Sequence, residues 1–420
     1  MLMPLCSLPT LQRVAAQCGR ARLSRMFTID QHVATSFWTH ARVACSAVDL
    51  ASSGLRTRTA NADCAQRGWY VLDNQGREPW TSQVVARVNQ RLEGFFAERQ
   101  TRSRSISPRA PELVSAVADL TMRGGKRLRP LVIYAGFRAT TPLVSDRDWQ
   151  AIVTLGAAIE LLQSYLLIQD DWMDNDEQRR GGLSTYALMQ HKYPDPGLGA
   201  SLTILASDIA VAFALDLLHE TRFPRGRTRE ALSMFNNMHL EVIFGQQLDL
   251  LAHEDVTLTQ HLKTGSYTMR GPMALGAVLA DASNEQQQAL MRFAKPLGIA
   301  FQLRDDVLAM FGDPAVTGKP VGHDLREGKH TALIAEARRM LPDADRERLD
   351  AVLGDHSASA ASVQAAIRML DASGARARVE ATLAERLVEA RSALRSATCL
   401  VPEGVSMLLE LLDRTAIRES

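Results

Sequence analysis

The sequence predicts an all-α protein, a single large helical domain, on three observations. Apolar residues recur at helical spacing from about residue 79 to the C-terminus, the period of amphipathic helices. No alternating apolar and polar run marks a strand, and no long-period repeat marks a solenoid. The most apolar stretch, 151–168, carries Glu160 and Gln163 and runs into Asp170 and Asp171, which fits a buried helix better than a membrane span.

Residues 1–78 contain no lysine, no acidic residue before Asp30 and no sustained helical period. They are expected to be an N-terminal extension, disordered or arising from a mis-assigned translation start. The alternative is organellar targeting by residues 1–30, since an Arg-rich, acid-poor start resembles a transit peptide. The helical domain then spans 79–420. An amphipathic helix is expected at 84–99, a polar break at 101–111, and helices at 112–122 and 127–138 on either side of Gly124 and Gly125. Pro142 and Ser145 introduce a long helix at 148–174, which ends in polar residues before Gly181 and Gly182. Helical periods continue at 201–220, 228–251, 257–264, 272–282, 284–311 and 331–340, then at 343–354, 359–372, 375–397 and 402–417.

Composition narrows the function classes. The 420 residues balance 48 Lys+Arg against 47 Asp+Glu, and a net charge of +1 supplies no global field for nucleic acid. Aromatic residues at 5% argue against a base-stacking platform. Among the basic residues the lysines are Lys126, Lys192, Lys263, Lys295, Lys319 and Lys329. In so arginine-rich a chain each invites a local reason. Cys6, Cys18, Cys45, Cys64 and Cys399 show no CxxC spacing, so neither a zinc site nor a disulfide framework is indicated, and a reducing, cytoplasmic interior is the expectation.

The chemistry is concentrated in two acidic pairs. The long helix ends in Asp170-Asp171-Trp172-Met173-Asp174, and residues four apart share a helix face. Such close carboxylates repel one another, a penalty that a divalent cation removes, and Mg2+ is usually held by one or two carboxylates plus substrate phosphates. Taken alone the motif equally describes a solvated acidic helix end. Asp305 and Asp306 form a second pair with apolar flanks at helical spacing. Ionised aspartates are seldom buried without partners, so the two pairs together suggest facing metal clamps. Gly124-Gly125-Lys126-Arg127-Leu128-Arg129 puts two glycines and three cations at a helix start, a setting that favours an anion. Arg179 and Arg180 follow the first acidic motif, and Lys263-Thr264, Lys319 and Lys329 flank the second. Two clamps and two cation groups point to two diphosphates, one bridged by Mg2+ and one held by cations alone, beside a hydrocarbon.

GGKRLRP, DDWMD followed by RRG, KTGSYT, FQLRDD and TGKPVGHDLREGK occur here in the order seen in trans-isoprenyl diphosphate synthases of the farnesyl and geranylgeranyl type. The resemblance spans about 80–420. It implies the isoprenoid-synthase fold, an all-α single large helical bundle around a central hydrophobic cavity, and a prenyltransferase that condenses isopentenyl diphosphate with an allylic diphosphate. It implies three Mg2+ ions, with Asp170, Asp174 and Asp305 as ligands and Asp171 and Asp306 beside them. Lys263, Lys319, Lys329 and Arg179 are implied to hold the allylic diphosphate, and Lys126, Arg129, Gln163 and Arg180 the isopentenyl diphosphate. Thr264 and Gln302 are implied to support the reacting centre. A homodimer is the family expectation.

Two positions depart from the family pattern. Ala309 replaces the third acid of the second motif, and Gln163 stands where histidine is common. Tyr165 and Leu166 precede Asp170 by five and four residues, which resembles short-chain synthases making a C20 product, with C15 as the alternative. A class I terpene cyclase and a non-catalytic partner subunit are the competing readings. The first lacks its second metal motif here, and the second would have lost more of the charged positions.

Overall fold

The computed structural model describes residues 69–70, 79–312 and 322–416; the expectations for 1–68 and for Lys319 lie outside them. The larger compact unit is Gly68–Ser420. Trp69–Tyr70 (β1) pairs antiparallel with Val144–Ser145 (β2), and Gln178–Arg179 (β3) with Gly182–Leu183 (β4). Among the described residues the rest of the regular structure is helical.

The helices are α1 Trp80–Arg104, α2 Pro111–Met122, α3 Leu128–Arg138, α4 Asp146–Met173, α5 Thr185–Lys192, α6 Pro196–Glu220, α7 Thr228–Leu250 and α8 Val256–Gln260. A π-helix, His261–Arg270, continues directly into α9 Gly271–Leu279. There follow α10 Asn284–Phe311, α11 His323–Arg326, α12 Ala332–Met340, α13 Asp343–Asp350, α14 Ala360–Ala372, α15 Ala375–Arg395 and α16 Pro402–Ala416.

Caps explain where the two site-bearing helices start. Ser145 accepts a hydrogen bond from the Asp148 backbone N–H, while the Asp148 carboxylate accepts one from Ser145 N–H. This capping box satisfies two otherwise orphaned donors and starts α4 two residues earlier than apolar spacing alone places it. Ser283 and Gln286 form the same box before α10. The short helix α5 was not expected from its period; Ser184 caps it through Ala187 N–H.

Helix α4 packs most extensively against α6, and α10 against α15. One apolar core joins α1 to α4 with α6, α7, α9, α16 and the first half of α10, and a second joins the latter half of α10 to α12, α14 and α15. Both α4 and α6 are long and apolar enough to cross a membrane, but 83% of the apolar window of α4 is buried inside the protein, against 33% for α6. The core reading of 151–168 therefore holds for α4, while α6 presents an apolar face outward.

Candidate active site

The acidic end of α4 is surrounded by cations. Asp171 is fully buried and takes a 2.6 Å hydrogen bond from Arg179 Nε, whose guanidinium also reaches Asp176 at 2.9 Å. Burial pushes the Asp171 carboxyl up to about 6, with Arg179 opposing the shift. Lys329 Nζ lies 3.0 Å from Asp174 Oδ2, and Lys263 Nζ lies 3.4 Å from Asp170 Oδ1 and 2.6 Å from Asp249 Oδ2. Burial works against the charge on both lysines, yet the facing carboxylates raise them above the ordinary lysine range.

The π-helix delivers Lys263 and Thr264, and a glycine makes room for it. A Cβ on Gly245 of α7 would lie 2.3 Å from the Lys263 backbone N and 2.6 Å from its Cα. Only a residue without a side chain lets α7 and the π-helix backbones meet this closely. The wider π turn is an irregularity often found at functional sites.

A cavity of about 680 Å3 lies between α4, α7, the π-helix and α10. Asp170 of α4 and Asp305 of α10 both line it, with Lys263, Thr264, Gln302, Arg129 and Gln163. Its apolar wall includes Leu166, Leu167, Val242, Ile243 and Phe301. Arg129 stacks over Tyr267 with its guanidinium carbon 4.2 Å from the ring centroid and donates to Thr268 Oγ1 at 3.0 Å. Gln163 Oε1 is buried with no hydrogen-bond partner, an arrangement that favours a polar ligand beside it.

Several expected residues stand elsewhere. Asp306 turns away from the cavity: it is 4% exposed, and its carboxylate accepts from Gln302 Nε2 at 2.7 Å, Gln260 Nε2 at 2.6 Å and Ala332 N–H at 3.1 Å. Burial pushes this acid up to about 7. Lys126 lines a neighbouring cavity of about 850 Å3 with α16 residues, and Phe301 is a wall residue of both cavities. Arg180 donates to the Leu120 carbonyl at 3.3 Å and packs against Gly125, outside both linings. Tyr165 sits behind the cavity wall, edge-on to His239 of α7 with ring centroids 5.0 Å apart, whereas Leu166 lines the cavity itself.

Asp249, His239 and Gln260 were not singled out in the sequence, because their partners are far away along the chain. Arg127 is also explained only by the fold. It is buried at the start of α3, 2.7 Å from Glu160 Oε2, and bonds Asn89 and the Thr121 carbonyl. It is therefore a structural cation within the basic segment.

Among the described residues, no three His, Cys, Asp or Glu side chains form a preformed metal cluster. The donors nevertheless fit a hard divalent ion. They are carboxylate oxygens, and Asp171 Oδ2 is buried without a hydrogen bond. Mg2+ commonly takes a few carboxylates and completes its shell with water and substrate phosphate.

Helical walls, two aspartates on one cavity and cations beside an apolar wall fit a class of enzyme acting on diphosphates of hydrocarbons. The polyprenyl synthetase family model matches residues 110–370, and the chain belongs to that family. It is 32% identical over 319 residues to a geranylfarnesyl diphosphate synthase of Aeropyrum pernix, covering 74% of this chain and 94% of that protein. A short chain isoprenyl diphosphate synthase of Methanocaldococcus jannaschii is 32% identical over 265 residues, 62% of this chain and 76% of its own. The crystal structure of a geranylgeranyl pyrophosphate synthase from Corynebacterium glutamicum, complexed with isoprenyl diphosphate and magnesium, superposes with a TM-score of 0.75 at 29% identity, covering 80% of this chain and 99% of that one.

Proposed function

We propose that this protein condenses isopentenyl diphosphate with an allylic diphosphate, head to tail, to a short-chain all-trans prenyl diphosphate of C20 or C15. At the coarser level the chain is a short-chain prenyltransferase, and family membership carries divalent-metal use and the two diphosphate substrates. The observation behind the finer reading is that Asp170 and Asp305, from different helices, line one cavity with Lys263 and Arg129 above an apolar wall.

In this reading Asp170, Asp174 and Asp305 hold the metal, three Mg2+ ions per site. When bound, Mg2+ supplies charge that makes an allylic diphosphate a good leaving group. Lys263, Lys329, Arg179 and Lys319 orient that diphosphate and neutralise its oxygens as the C–O bond breaks. Arg129 and Gln163, with Lys126 and Arg180 at the margin, hold the isopentenyl diphosphate. Leu166, Leu167, Val242, Ile243 and Phe301 keep water from the allylic cation while the isopentenyl double bond attacks it. The proton then lost passes to the released pyrophosphate.

The working form in this reading is a homodimer in the cytoplasm. Leu198, Ile204, Leu205 and Leu215 of α6 and Leu240, Ile243, Phe244 and Leu250 of α7 are exposed, and large exposed apolar patches mark interaction surfaces. Ile243 and Leu250 also line the cavity, so a second copy seated there closes its side. Leu205→Glu with Phe244→Glu is expected to yield a monomer by sedimentation, and a fluorescent fusion tests location.

The deciding experiment incubates the protein with isopentenyl diphosphate and each of the C5, C10 and C15 allylic diphosphates, with and without Mg2+. Mg2+-dependent chains ending at C20 or C15 support the reading. Cyclised hydrocarbon, or no product with any partner, overturns it.

A further inference from the structure

We propose that Asp306 is a positioning residue and not a metal ligand: it sets the amide of Gln302 toward the cavity and ties together the three segments that carry Gln302, Lys263 and Lys329. This inference rests on the prenyltransferase reading above.

The geometry assigns the role. Both carboxylate oxygens of Asp306 are occupied, Oδ1 by Gln302 Nε2 and Oδ2 by Gln260 Nε2 and Ala332 N–H. Asp306 is absent from the cavity lining, which Asp305 and Gln302 share. Asp306 Oδ1 accepts from Gln302 Nε2, so Gln302 gives it the NH2 end of its amide. That leaves the Gln302 carbonyl oxygen as the atom available to the cavity, where an oxygen acceptor suits a developing carbocation. Gln302 and Asp306 are one turn apart on α10, so the bond holds within a rigid element.

The other two bonds reach out of that helix. Gln260 is the last residue of α8, immediately before the π-helix that bears Lys263 and Thr264. Ala332 opens α12, three residues after Lys329, which faces Asp174. One buried carboxylate thus joins the two strands of chain that hold the diphosphate-facing lysines to the helix that holds Asp305. The burial of a polar hub with all its donors in place is the condition under which such networks rigidify their surroundings.

Two variants test this from opposite sides. Asp306→Asn replaces an acceptor that faces three donors with a group that accepts at one atom. Ala332→Pro removes a single donor and leaves Asp306 untouched. Position 332 is the first residue of a helix, where proline is tolerated, and Thr331 before it is extended at φ −85° and ψ 166°, as a residue preceding proline requires. Calorimetric titration of Mg2+ in the presence of inorganic pyrophosphate reports metal binding without turnover.

Asp306→Asn is expected to keep the Mg2+ stoichiometry and affinity within about threefold, whereas Asp305→Asn loses sites. Its kcat should fall at least tenfold, and Gln302→Leu should make the further loss from Asp306→Asn small. Ala332→Pro should raise the KM for the allylic diphosphate severalfold with kcat largely kept. Loss of Mg2+ sites in Asp306→Asn, or additive effects of the Asp306 and Gln302 substitutions, overturns the proposal. If Asp306→Asn does not fold, Ala332→Pro decides: an unchanged KM overturns the tie. Wild-type condensation activity, measured beside these, separates failure of this inference from failure of the functional reading.

Discussion

Lys263, on the π-helix, reaches across to Asp249 on α7, its ammonium 2.6 Å from Oδ2, while standing 3.4 Å from Asp170. Lys329 stands in the same relation to Asp174, and Arg179 to Asp171. Each carboxylate at the end of α4 thus already has a cationic neighbour. In the proposed reading, Mg2+ and a diphosphate entering the site would exchange these pairings: the carboxylates would pass to the metal, and the released cations to the diphosphate oxygens. The two ligands are then expected to favour each other's binding, since each relieves charge left uncompensated by the other.

From that exchange, Asp170→Asn or Asp305→Asn should lower turnover by about two or more orders of magnitude, the scale on which lost electrostatic stabilisation of a leaving group is felt. Chelation of divalent metal with EDTA should abolish product formation, and added Mg2+ should restore it. Steady-state rates with radiolabelled isopentenyl diphosphate measure both effects. Near-normal turnover in the two variants would remove the metal assignment.

Gly245 makes a second prediction, concerning architecture. A methyl group there would meet the backbone of Leu262 and Lys263 at 2.3–2.8 Å, and backbone cannot swing aside as a flexible side chain does. Gly245→Ala should therefore push the π-helix off α7, displacing Lys263 and Thr264 from the cavity wall. The expected result is a stability loss of about 1–3 kcal/mol and a larger proportional loss of kcat. Urea denaturation and steady-state kinetics on one preparation separate the two.

The Arg127–Glu160 pair carries a third. Both side chains are almost wholly buried, at 1% and 3% exposure, and removing one partner leaves the other charge stranded. Glu160→Ala is expected to destabilise the protein by about 3–5 kcal/mol, read as a fall in the urea midpoint. A midpoint unchanged within error would mean that water reaches Arg127.

The helical class, the start and length of α10, and the placing of Asp170 and Asp305 on one cavity were legible because they rest on period and on motif order. The π-helix was not, since 257–264 reads as an ordinary helix and the wider turn depends on Gly245, far back in the chain. Adjacent aspartates were read alike, but a helix turns 100° per residue. Asp305 therefore faces the cavity while Asp306 is carried behind it, and Asp171 is carried into the protein while Asp170 faces ligand space. Lys126 and Arg129 illustrate the same limit: three residues apart at a helix start, they line two neighbouring cavities. Spacing finds the charged groups; rotation about each helix assigns their directions, and that needs the packed partner.

Product length makes the last prediction. Leu166 and Val242 line the cavity; Tyr165, the residue before Leu166, and His239, three residues before Val242, meet edge to face and are not in that lining. His239 Nε2 is buried without a hydrogen-bond partner, and burial holds its imidazole below the usual histidine range, so the ring stays neutral and acts as bulk. In the proposed reading a chain growing away from Asp170 by five carbons per condensation would meet the leucine wall first and this aromatic pair behind it. Tyr165→Ala is expected to add one isoprene unit to part of the product, because His239 still stands opposite. Tyr165→Ala with His239→Ala should shift most of the product to longer chains, while the Mg2+ requirement stays the same. Chromatography of the dephosphorylated alcohols measures the distribution. An unchanged profile in the double variant would mean that chain length is limited by residues nearer the head of the cavity, and Leu166→Ala would then be the variant that lengthens the product.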